Sequence, residues 1–241
     1  FYIYYSMFGF QRVGDFIWAA ADMRVRGFLI GATSGRTTLA GEGLQHQDGH
    51  SLLAASVVPN LKAYDPAYSY ELAVIIQDGL KQMYHDGKDI FYYITVQKEN
   101  YSHPDMPENT QEGIIKGLYC IQEAKPDMPK VRLLGSGSLL REAKAAAELL
   151  EKDWNITSEI WSVTSYSELR KESENIRRWN TLHPNKKQKT CWLNQNLGDC
   201  SSPIIAVSDY VKLVSEQIAA YTPCSFSALG TDGFGRSDNR E

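Results

Sequence analysis

The sequence predicts an α/β fold with parallel sheets. Short apolar runs alternate with longer stretches whose apolar residues recur at helical spacing, and polar, glycine-rich turns separate them. A third observation is compositional: 241 residues with 43% hydrophobic and 22% charged side chains can bury one large core or two smaller ones without disulfides or metals. Disordered and fibrous classes are excluded. The formal net charge of −4 and a pI near 5.8 argue against a nucleic-acid or anionic-membrane surface, the densest basic cluster being only Lys186, Lys187 and Lys189. No run of about 18 apolar residues occurs, so no membrane span is expected.

Taken in order, the opening FYIYYSMFGF is aromatic and apolar and reads as the inside of a strand. Val13, Phe16, Ile17, Ala20 and Met23 predict a helix from Gln11 to Arg24, and Gly27 to Gly31 reads as a short buried strand. From Ala32 to about Gly49 runs a long loop rich in glycine. It is too polar and too long for a mere connector, and such loops on a rigid scaffold carry function. Leu72, Ile75, Ile76, Leu80 and Met83 predict a helix over Tyr68 to Tyr84, with a strand over Ile90 to Val96. Pro104, Pro107, Asn100 and Asn109 mark a boundary between Glu99 and Glu112. This divides the chain into residues 1–110 and 111–241. The second block holds strands at Val131 to Leu134, Ile160 to Thr164, Ile204 to Val207 and Phe226 to Leu229, and helices at Leu139 to Lys152, Tyr166 to Arg178 and Asp209 to Tyr221.

Several motifs offer chemistry. Gly135-Ser136-Gly137-Ser138 has the strand, turn, helix order of a dinucleotide fingerprint. Leu140 stands where the third glycine belongs, and no acidic residue ends the next strand, so a structural turn is the better reading. The Asp-Gly pairs at Asp48, Asp78, Asp86 and Asp232 lack the preceding glycine of a diphosphate and magnesium motif and read as turns. His85, His103 and His183 lie near turns or proline and read as solvent-facing or capping groups. His46 and His50 differ, since they share the glycine-rich loop with Glu42, Asp48, Arg36 and Ser34. That loop is either tied down by its own hydrogen bonds or is a site where imidazole exchanges protons near neutral pH with carboxylate help. Ser34, His46 and Asp48 supply the residue types of a hydrolytic triad, without a G-x-S-x-G elbow to expose the serine. Cys120, Cys191, Cys200 and Cys224 form no C-x-x-C pair, and reduced thiols are expected.

YSMFGFQRVGD (Tyr5 to Asp15), GATSGRTTLAGEGLQHQDGHS (Gly31 to Ser51), YDPAYSYELAVIIQDGL (Tyr64 to Leu80) and LGTDGFGRSD (Leu229 to Asp238) together resemble the homodimeric, bacterial-type decarboxylating component of the pyruvate dehydrogenase complex. The resemblance covers essentially the whole chain. It implies the later part of a transketolase-like pyrimidine-binding domain followed by a transketolase C-terminal-like domain. It further implies thiamine diphosphate and magnesium held between two identical subunits, pyruvate as substrate, a lipoyl group of dihydrolipoyl acetyltransferase as acceptor, and a cytoplasmic setting. Carried over by motif position, Phe8, with Phe10 in the same run, would pack on the aminopyrimidine ring. Tyr5 would face the substrate-derived adduct, and Glu42 and His46 would line the same pocket, His46 assisting proton transfers. The family's activating Glu would precede Phe1, its magnesium motif is absent here, and Gln47 stands where some relatives carry an acid. The aromatic start and the Ser237-Asp238 cap close to Glu241 also read as cut faces, so a piece of a longer polypeptide is expected, inactive by itself. The rival expectation is a transketolase-like pair of domains kept as a non-catalytic binding or regulatory module.

Overall fold

The computed structural model describes residues 1–39 and 44–236. The first sheet takes β1 (Tyr2–Tyr4), β2 (Phe28–Ala32), β3 (Leu61–Tyr64) and β4 (Phe91–Val96) in the order β1-β2-β4-β3, every pairing parallel. Residues Phe91 to Ile94 are entirely buried, as a central strand of aromatic and β-branched residues requires. Around this sheet lie α1 (Ser6–Arg12), α2 (Gly14–Asp22), α3 (Ser51–Ser56) and α4 (Ser69–Leu80). After α5 (Gln111–Lys116), which Gly117 ends in the left-handed region, comes β5 (Tyr119–Gln122).

The second sheet continues with β6 (Lys130–Gly135), β7 (Thr157–Ser162), β8 (Ile204–Val207) and β9 (Phe226–Leu229), ordered β5-β7-β6-β8-β9. All of its pairings are parallel except β5 with β7. Its helices are α6 (Leu139–Trp154), α7 (Tyr166–Leu182), α8 (Trp192–Leu197) and α9 (Leu213–Glu216). On α6, Leu140, Ala143 and Ala147 form the buried stripe while Glu and Lys face outward, and Asn155 closes the helix at positive φ. The hydrogen-bonding side chain of Ser165 caps α7 through the Glu168 amide.

The two sheets share a core. One apolar cluster runs from Ala63, Phe91 and Tyr93 of the first to Leu134, Trp161 and Ala206 of the second. Buried carboxylates stitch the same seam. Glu71, in the first turn of α4, accepts from the amides of Ala67 and Tyr68, from Tyr119 OH at 2.6 Å and from Ser162 Oγ at 2.6 Å. Asp65, just past β3, accepts from Thr95 Oγ1 at 2.6 Å, Gln97 Nε2 at 2.7 Å and Ser136 Oγ at 2.8 Å. Burial pushes the Asp65 carboxyl up to about 6 against those hydrogen bonds, and burial likewise raises Glu71.

Four expectations change. The aromatic start is a strand only to Tyr4, after which the chain turns into α1; a Cβ on Gly9 would lie 1.6 Å from the Tyr4 ring, so this turn of the helix fits only without a side chain. The helix expected over Asp209 to Tyr221 is the short α9 and a separate 3₁₀ turn at Ala219–Tyr221. β3, α3, β5 and α8 were not evident from periodicity, being short and buried by neighbours distant in sequence. Cys200 and Cys224, 24 residues apart, are joined as a disulfide where free thiols were expected, while Cys120 and Cys191 are free. The capping pair Ser237 and Asp238 lies outside the described residues.

Candidate active site

The glycine-rich loop leaves the carboxyl end of β2, the edge at which parallel sheets place their ligands. Tyr5 precedes the first turn of α1, and its ring meets the imidazole of His46 with centroids 4.9 Å apart and planes tilted by 48°. Tyr5 is 44% exposed, while His46 is half-buried with its Nδ1 turned away from solvent. Phe10, farther along α1, turns inward and meets Tyr93 edge-on at 4.8 Å. Glu42 lies outside the described residues, as does the side chain of Phe8, whose backbone belongs to α1.

Beneath His46 the loop is nailed down by groups far away in sequence. Asp48 is completely buried and accepts from the amides of His50 at 3.0 Å and Ser51 at 2.9 Å, from Ser51 Oγ, and more distantly from Ser34 Oγ. Ser51 Oγ in turn accepts from Tyr93 OH at 2.7 Å, and Ser34 Oγ lies 2.5 Å from Tyr210 OH. Burial raises both tyrosines well above their ordinary range, keeping them neutral hydroxyls. A serine this deep and this occupied is no exposed nucleophile. The triad reading of Ser34, His46 and Asp48 therefore fails on burial.

The second sheet supplies the outer half of the clamp. Asp209, just past β8, accepts from Arg36 N at 2.7 Å, Thr37 N at 3.0 Å and Thr37 Oγ1 at 2.9 Å. Burial raises the Asp209 carboxyl, opposed by these hydrogen bonds and by the Arg36 charge. Gly35 has φ of +78°, and a Cβ there would sit 2.4 Å from Asp209 Oδ2, so only glycine lets the backbone come this close. The Arg36 guanidinium donates to the carbonyls of Thr231 at 2.5 Å and Gly233 at 2.6 Å. Gln47 bridges the Leu39 carbonyl at 2.9 Å and the Arg236 amide at 3.0 Å, and the Val211 amide donates to the Gly49 carbonyl at 3.0 Å. The Gly135 to Ser138 turn is structural as expected: Ser136 Oγ and the Gly137 amide bind Asp65, and the Ser138 hydroxyl reaches Thr37 Oγ1 at 3.4 Å.

The sequence places Arg36 in the loop without a role, offers Asp48 only as the acid of a triad and Gln47 only as a departure from some relatives, and does not single out Asp209 or Tyr210. Asp209, between Ser208 and Tyr210 at the start of an expected helix, carries no local signal of a partner 173 residues away. Of the remaining histidines, the His103 ring accepts from the Ser69 amide at the start of α4, and His183 stacks on Trp179 at 4.6 Å. Among the described residues no group of three His, Cys, Asp or Glu could hold a metal ion, and no helix is long and apolar enough to cross a membrane.

Comparison with known proteins agrees with this architecture. Residues 1–104 match the family model for the pyruvate dehydrogenase E1 component middle domain, and residues 117–241 match that for the transketolase-like TK C-terminal domain. The whole chain is 56% identical to the pyruvate dehydrogenase E1 component of Pseudomonas aeruginosa and 53% identical to that of Escherichia coli K12, spanning 28% and 27% of their lengths. In fold it resembles the transketolase of Campylobacter jejuni (TM-score 0.72, 19% identity, 98% of this chain and 31% of that one). It also resembles a split gene transketolase described as an inactive beta4 tetramer (TM-score 0.65, 14% identity, 96% of this chain and 66% of that one).

Proposed function

This chain belongs to the pyruvate dehydrogenase E1 family, and from that premise we propose that it supplies half of a thiamine diphosphate site in a homodimeric enzyme. That enzyme would decarboxylate pyruvate and pass the acetyl unit to a lipoyl group of dihydrolipoyl acetyltransferase. The observation that carries this reading is the Tyr5–His46 pair at the carboxyl end of β2, an exposed phenol on a half-buried imidazole, above a loop held by buried polar groups. A phenol beside an imidazole fits the ring end and the reacting end of the cofactor. Among the described residues no group of three His, Cys, Asp or Glu could hold magnesium, and on this reading the metal and the diphosphate are held by another domain.

When bound, thiamine diphosphate supplies the electron sink for loss of carbon dioxide. This chain's residues then position and exchange protons. Tyr5 offers a flat face and a hydroxyl toward the pyruvate-derived group. The His46 imidazole, whose ring nitrogens can donate and accept hydrogen bonds, receives the substrate carboxylate and moves protons at the keto oxygen. Glu42 would line the same pocket, Phe8 would pack on the pyrimidine ring, and Phe10 would support it from the core side through Tyr93. On the same reading residues 1–110 form the pyrimidine-binding part and 111–241 the C-terminal part, whose Asp209 fixes the loop that bears His46.

The test is His46→Ala in the whole enzyme. A proton-transfer group contributes roughly 10²- to 10⁴-fold to rate, so kcat for pyruvate should fall by about that much while thiamine diphosphate affinity changes little. Equal losses in turnover and cofactor affinity would make His46 structural and sink the proposal.

A further inference from the structure

At the opposite edge of the first sheet, where β3 and β4 begin, a groove of about 500 Å³ separates the loop before β3 from α5 and α7. Four lysines line it, Lys62, Lys88, Lys116 and Lys171, against two acids, Glu168 and Glu172. The groove is therefore net positive by two charges on a chain whose formal charge is −4.

The excess is visible in the contacts. Lys62 Nζ and Lys88 Nζ both donate to one neutral acceptor, the Gln82 amide oxygen, at 3.4 and 3.2 Å. The two ammoniums thus stand no more than about 7 Å apart, where like charges repel. The Gln82 amide nitrogen is turned away toward Asp78. Glu168 is shared, 3.7 Å from Lys62 and 3.3 Å from Lys171, and Lys171 also donates to the Leu61 carbonyl at 2.6 Å. Glu172 answers Lys116 at 3.4 Å while its other oxygen accepts the Trp192 amide at 2.8 Å. Among the described residues no carboxylate lining the groove pairs with Lys88, and Asp86 acts on it only from outside the lining. Ile90, Ile115 and Ile176 supply apolar wall, and Asn60 and Asn175 are among the uncharged polar residues that line the groove with them.

We propose that this groove binds a small organic phosphate, the dianionic phosphate seated between Lys62 and Lys88 and its apolar or ring portion against the three isoleucines. Lysine suits phosphate as a mobile point charge, and the volume is that of an ordinary small-molecule site. The groove joins both sheets at the edge away from His46, so the proposal stands independently of the reading of that site.

The probes are phenyl phosphate and inorganic phosphate, titrated calorimetrically into the whole protein with thiamine diphosphate and magnesium already present. Wild-type protein should bind phenyl phosphate more tightly than inorganic phosphate. K62Q/K88Q should weaken phenyl phosphate by about tenfold or more, as loss of hydrogen bonds to charged groups requires. K144Q, which removes an exposed lysine on α6, should not. Undiminished binding in K62Q/K88Q, or none in wild type, would overturn the site, and equal affinity for the two probes would overturn an organic ligand. The double variant relieves repulsion between the two ammoniums but loses the Lys62–Glu168 pair, so its unfolding midpoint without phosphate should stay close to that of wild type; a large drop would make the lysines structural and overturn the assignment.

Discussion

Asp209→Ala tests whether the second sheet holds the loop that carries His46. The carboxylate accepts from two backbone amides and one hydroxyl of Arg36 and Thr37, and it is itself buried. Truncation leaves those amides without an acceptor, at about 1–3 kcal/mol for each buried orphan. The local cost is then about 3–4 kcal/mol, which would open the loop without unfolding the sheets. Asp209→Asn keeps a carbonyl oxygen in place and removes a charge that burial already disfavours, so it should cost only about 1 kcal/mol. Native-state hydrogen exchange is the suitable assay, because a protein of several domains need not unfold in one step. At about 1.4 kcal/mol per decade, exchange at the Arg36 and Thr37 amides should accelerate roughly 10²- to 10³-fold in the Ala variant and about tenfold or less in the Asn variant. Turnover by the whole enzyme should fall in the same order. Unchanged exchange in Asp209→Ala, or equal effects of Ala and Asn, would refute the clamp.

Two further outcomes concern the seam between the sheets. Asp65 has its folded pKa raised to about 6 from 3.8, so between those values the folded state holds a proton that the unfolded state has lost. Its contribution therefore falls as pH rises through that window, by about 3 kcal/mol in all, and is constant above it. Denaturant unfolding of Asp65→Asn should lack this loss, so the wild-type minus variant stability difference should shift toward the variant between about pH 4 and 6.5; a difference independent of pH would contradict the assignment. Glu71→Ala should lower stability by about 3–5 kcal/mol, since it orphans buried donors both in the segment before α4 and in the second sheet. Ser162→Ala, losing one bond, should cost about 1 kcal/mol, and equal effects in thermal unfolding would rule out Glu71 as the hub.

Much of this molecule was legible from local pattern. β4 could be read because Phe91 to Ile94 is an unbroken apolar run, and α6 because Leu140, Ala143 and Ala147 recur on one face. β3 could not, since Leu61-Lys62-Ala63-Tyr64 includes a lysine whose burial comes from Glu168 and Gln82 on other elements. The segment after Asp209 has helical composition, but its backbone bends to meet the glycine-rich loop: the Val211 amide pairs with Gly49 and the Thr231 amide with Tyr210. Tertiary hydrogen bonds there outweigh a propensity of a few tenths of a kcal/mol per residue.

For the candidate site, residue types and order within the chain were enough to single out Tyr5, His46 and their loop, because the resemblance rests on short contiguous motifs. Which groups hold that loop was decided only by the folded chain. Asp209 meets Arg36 and Thr37 because β8 ends beside the loop that follows β2, with the two sheets sharing a core. Spacing along a sequence sets which side chains share a helix face or a strand edge. The pairing of buried charges and amides across two sheets depends on how those sheets pack, and a carboxylate written as Asp carries no record of the donors that will surround it.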